Sequence, residues 1–114
     1  MSNAFGIPVG STSRTVLIQA LGPALAGEGV TGVLQQPVLS IYNTNGQQIY
    51  SNTGWGSSQI LLNAAATVYA SPVLLPGSPD SELLLTLPPG GYTAEVSGIN
   101  GGTGVALCAI YQLP

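Results

Sequence analysis

The stretch LPPGGYTAEVSG, Leu87–Gly98, decides the fold. Two prolines followed by two glycines force a turn, and behind it Tyr92, Ala94 and Val96 alternate with Thr93, Glu95 and Ser97. This is the period of two of a half-buried strand, with Glu95 a solvated residue of its outer face. Just upstream, ELLLTL (82–87) sets Leu83, Leu85 and Leu87 on one face of a second strand. RTVLIQAL (14–21) has the β-branched and apolar content of a third, stopped by Gly22-Pro23. PALAGEG then supports at most a short helical turn, with Pro23 suited to its first position. PVLSIYN (37–43) and QQIYS (47–51) flank Asn45-Gly46 and predict a hairpin from Val38 to Ser51. VALCAIYQL (105–113) is apolar on both faces, as a central strand would be, and GINGGTG (98–104) before it reads as a hairpin turn.

One segment competes with this pattern. SSQILLNAAATVYA (57–70) carries Ile60, Leu61, Ala64, Ala65 and Val68 at the spacing of a helix face, with serines available as an N-cap. Six strands and one short helix around residues 58–69 predict an all-β chain. The expected fold is a two-sheet, antiparallel, jelly-roll-like β-sandwich over residues 14–114, preceded by an extended N-terminal arm, residues 1–13.

Composition narrows the function. The chain has 114 residues, 45% of them hydrophobic, which suits one domain with a core of its own. Only 4% are charged: Arg14 is the sole basic side chain, Glu28, Asp80, Glu82 and Glu95 the acids, and histidine is absent. One arginine cannot neutralise the phosphates of a nucleic acid or give a helix a basic, membrane-seeking face. No apolar run reaches the roughly 18 residues of a spanning helix, so membrane insertion is not expected. MSNAFGIPVG lacks the basic start and apolar stretch of an export signal. Its SNA reads equally as a native start or as a scar of expression. A surface of Ser, Thr, Asn and Gln puts little electrostatic repulsion in the way of self-association.

The same inventory excludes most chemistry. Without histidine or lysine there is no Ser-His-Asp triad and no Ser-Lys dyad. The single cysteine, Cys108, sits among apolar residues and reads as a buried thiol, neither disulfide nor ligand. Asp80 and Glu82, two apart, have the residue types of a glycosidase pair or of calcium ligands, but a solvated Asp-containing turn accounts for them. GINGGTG lacks the strand–loop–helix setting of a phosphate loop. No catalytic residue, cofactor or metal is expected. Trp55, between glycines in NTGWGSS, is the candidate to stack on a sugar ring, with Asn52 beside it; the competing reading is a plug at one end of the sandwich.

The run RTVLIQALGPALAGEGVTGVLQQPVLSIYNTNG, then NTGWG, then LLPGSPDSELLLTLPPGGYTAEVSGINGGTGVALCAIYQL, resembles the Gly/Ala-rich β-sandwich repeats of large secreted or cell-surface bacterial proteins. Its second half is also similar to the bacterial pre-peptidase C-terminal domain, an accessory sandwich of secreted hydrolases. Both resemblances imply a sandwich and an extracellular location, and neither brings catalytic residues. Gln35-Gln36, Asn43, Cys108 and Gln112 depart from the repeat pattern by removing charge, which weakens a calcium site.

The expected function is therefore a non-enzymatic extracellular structural or assembly module. In the arm, Phe5, Ile7 and Val9 alternate as in a strand, but Gly6, Pro8 and Gly10 suit an edge better than a sheet centre. Strand addition to a neighbour through Phe5, Ile7 and Val9, with Arg14 as a further subunit contact, would build a homo-oligomer or polymer. The alternative is a carbohydrate-binding or adhesion module of a larger secreted protein or enzyme, holding polysaccharide through Trp55 and Asn52.

Overall fold

A computed structural model describes residues 1–10 and 12–114. The strands are β1 (Ser2–Ile7), β2 (Arg14–Leu21), β3 (Pro37–Asn43), β4 (Gln48–Thr53), β5 (Ser81–Leu87), β6 (Gly90–Gly98) and β7 (Leu107–Gln112). They form two antiparallel sheets, β1-β6-β3-β4 and β5-β2-β7. The fold is the two-sheet β-sandwich that the alternation predicts. Every connection between consecutive strands except the β3–β4 hairpin crosses from one sheet to the other.

Strand β2 is the centre of the three-stranded sheet. Its residues from Val16 to Leu21 are all buried, because side chains on both of its faces find an apolar layer. Val16, Ile18 and Ala20 join Leu39 and Ile41 of β3, Tyr92, Ala94 and Val96 of β6, and Leu85 and Leu87 of β5 in the core between the sheets. Leu17 and Leu21 point the other way, toward a third layer built by helix α2 (Gln59–Thr67) and the segments around it.

The opening stretch behaves as its alternation requires. Tyr92, Ala94 and Val96 are buried, Ser97 is exposed and Glu95 is half-buried, in a strand flanked by β1 and β3. The β3–β4 hairpin turns on Gly46 at φ +75°, and Asn43 Oδ1 accepts from the main-chain N–H groups of Asn45 and Gln47. Ser58 caps α2 by accepting from Leu61 N–H, and Pro23 opens the one-turn helix α1 (Pro23–Ala26).

Three local expectations are corrected. VALCAIYQL is an edge, since among the described residues β7 pairs only with β2; its two apolar faces meet the core on one side and the α2 layer on the other. GINGGTG is a crossover between sheets and not a hairpin, because β6 and β7 lie in different sheets. It turns tightly enough that a Cβ on Gly98 would stand 2.0 Å from the Gly102 carbonyl oxygen. Ile60 is 70% exposed, so α2 buries the narrower stripe of Leu61, Ala64, Ala65 and Val68.

Residues 2–7 of the expected arm are strand β1. It runs antiparallel to β6 in unbroken register, from Ser2 opposite Glu95 to Ile7 opposite Gly90. Ile7 is buried in the main core, and the Phe5 ring stacks on Tyr92 at 5.6 Å.

Candidate functional site

An apolar strand that is buried on both faces has no need of an amide, yet β2 places Gln19 between Leu17 and Leu21 on the face toward α2. Its partner across the sheet is Glu82 of β5. The Gln19 amide donates from Nε2 to Glu82 Oε2 at 2.5 Å, and both side chains are buried. A carboxyl taken out of water resists ionisation. Burial pushes Glu82 above its ordinary 4.5; the Gln19 amide pulls it partly back, and the nearby Asp80 charge pushes it up further.

Next to this pair the motif segments converge. Asp80 is fully buried and accepts from the N–H of Gly22 at 2.7 Å and of Ala24 at 3.1 Å, supplying the acceptors that the start of α1 lacks. Ser78 donates its hydroxyl to the same carboxylate. Ser81 donates to the Pro37 carbonyl at 2.6 Å and accepts from Gly54 N–H at 2.9 Å, while Asn52 Oδ1 accepts from Glu82 N–H at 3.1 Å. These bonds tie the end of β4 and the start of β3 to the head of β5, across the gap between the sheets. Gly22 is part of the same joint: a Cβ there would lie 2.0 Å from the Leu34 carbonyl oxygen. The serine and aspartate are spent on main-chain groups, so this junction works as a polar latch.

Asp80 and Glu82 therefore depart from the solvated turn expected of them; they are 0% and 2% exposed. The fold brings Trp55 and Asn52 to the same junction, but not as a surface platform. Trp55 is 3% exposed and packs on Leu21, Leu25 and Leu74, the position of a plug. Among the described residues its indole Nε1 finds no acceptor, and neither does Gln19 Oε1 find a donor. Of the residues expected at a subunit contact, Phe5 and Ile7 face inward from β1, Val9 is 95% exposed beyond the strand, and Arg14 is half-buried with its Nε unpartnered. Cys108 lies in the main core, and burial pushes its thiol above the ordinary 9.0, against the smaller pull of Asn3 and the N-terminal ammonium.

Comparison with protein-family models and with curated proteins gives no match. Among the described residues, no helix is long and apolar enough to cross a membrane, and no three acids, cysteines or histidines gather as a metal would require. The Gln19–Glu82 pair is the feature that the residue patterns miss. Its signal is present in LIQAL, where a lone amide interrupts a run that is otherwise apolar on both faces, and it becomes legible only once β5 is placed beside β2.

Proposed function

We propose that this chain is a non-enzymatic, extracellular structural module that self-associates by exchanging strand β1 between copies. The observation that carries the reading is the placement of β1. It lies at the edge of the four-stranded sheet with β6 as its ladder partner, and each contact it makes can be made equally by the same residues of a neighbouring copy. Phe5 on Tyr92 and Ile7 in the core are the anchors of such an exchange. The connection to β2, residues 8–13, contains Pro8 and Gly10 and spans at most about 20 Å when extended. Val9 and Arg14 lie on or beside this connection, where a crossing arm would meet its neighbour.

An arm placed on the next copy leaves its own β6 edge open to a third. The contact is head-to-tail and continues as a filament unless its rotation closes a ring. The extracellular setting rests on the resemblance to secreted repeats and on an outer surface of uncharged polar groups. Mixing two single-cysteine chains tests the exchange, one carrying Ala4→Cys and one Thr93→Cys, the residues opposite each other in the β1–β6 register, both with Cys108→Ser. Refolding them together under oxidation should yield covalent heterodimers. If disulfides form only when both substitutions share one chain, β1 stays at home and the proposal fails.

A further inference from the structure

Beneath α2 the outer layer of the three-stranded sheet does not close. It leaves a cavity of about 160 Å³, with Trp55, Ala70, Leu74 and Glu82 as buried walls and Ala65 of α2 and the exposed Val73 nearer its rim. An apolar void of about this size stays dry and accepts a benzene-sized molecule. This one differs in having polar groups in its wall. Trp55 and Glu82 both line it, and among the described residues the buried Trp55 indole N–H, a donor, finds no acceptor. Leaving a buried donor unpaired is costly, and a bound molecule of matching chemistry relieves that cost.

We infer that this cavity is a binding site for a small neutral hydroxyl compound, an alcohol or phenol with an apolar body of about six carbons. The hydroxyl is the group that fits both polar walls at once. It accepts from the Trp55 indole N–H and donates to the Glu82 carboxyl, while its hydrocarbon part fills the space walled by Ala65, Ala70 and Leu74. A protonated amine offers donors only and leaves the indole unpaired, and a hydrocarbon leaves it unpaired as well. The site lies on the opposite side of the three-stranded sheet from the core that β1 completes, so it is independent of the assembly proposed above.

Trp55 is the only tryptophan in the chain, so its indole N–H gives one identifiable resonance in a nitrogen–proton correlation spectrum. Titration with phenol should shift that resonance saturably, and phenol should bind about tenfold more tightly than benzene, the ratio expected from one net hydrogen bond. Glu82→Gln should bring the two probes closer in affinity, because it replaces the lining carboxyl with an amide oxygen, a weaker acceptor for the hydroxyl. Ala65→Leu, on the half-buried face of α2, should fill the cavity and abolish both titrations while leaving the chain folded. The inference is overturned if no probe moves the resonance, so that the cavity holds water alone. It is equally overturned if phenol and benzene bind alike, or if Ala65→Leu binds as well as the parent.

Discussion

The two sheets of the sandwich are finished differently. The three-stranded sheet is covered on both faces, by the other sheet on one side and by α2 and the Trp55 cluster on the other, and its head is fastened by Asp80 and Ser81. The four-stranded sheet is covered on one face only. Its outer face carries Ser97 and Ser51, exposed, and half-buried Glu95, and it ends in a strand attached through a single ladder. One sheet is closed over both faces, while the other leaves its outer face uncovered. Assembly through the second sheet therefore need not disturb the first.

Substitutions on the two sides sharpen this contrast. The largest effect is expected at the latch: Asp80→Ala leaves the buried N–H groups of Gly22 and Ala24 without acceptors and should cost about 3 kcal/mol or more. Ile18→Ala, in the core between the sheets, removes a fully buried side chain and should cost about 2 to 5 kcal/mol. Both are measured by denaturant unfolding. If Asp80→Ala proves as mild as a surface change, the latch is not what fastens the three-stranded sheet.

A gentler probe of the closed side is pH. The folded-state pKa of Glu82 is raised by burial, so its protonated form favours the fold. The associated stability is fully present below its ordinary value of 4.5 and is lost as pH rises through the raised one. The parent chain should therefore gain stability relative to Glu82→Gln as pH falls from neutrality toward that value, and the variant should be the flatter of the two. Parallel pH profiles would place Glu82 in water. On the open side, Ser97→Ala should change stability by no more than about 0.5 kcal/mol, because the exposed face of β6 carries little packing.

The same contrast explains what the residue patterns disclose. The core between the sheets is legible because period-two alternation in β6 is set by one wet and one dry side, and Leu83, Leu85 and Leu87 of β5 fall together as read. The layer under α2 is harder, because a strand buried on both faces has no period, and Gln19, Glu82 and Asp80 are placed by partners far away in the chain. Edge and centre are also not local properties. VALCAIYQL reads as central because both faces are covered, yet coverage comes from layers above and below and says nothing about neighbours within the sheet. Trp55 shows the limit for sites: flanking glycines mark a loop, but only the packing of Leu21, Leu25 and Leu74 around the ring shows that it points inward.

The central claim, that the module assembles through β1, is tested most directly by locking that strand in place. A chain with Ala4→Cys, Thr93→Cys and Cys108→Ser, oxidised so that β1 is tied to its own β6, keeps the whole sandwich and loses only the ability to exchange. Its molar mass by light scattering should remain that of a monomer of 11.5 kDa at every concentration, while the same chain, reduced, forms larger species as concentration rises. Equal masses for the two forms across the series, whether both monomeric or both assembled, would contradict the account.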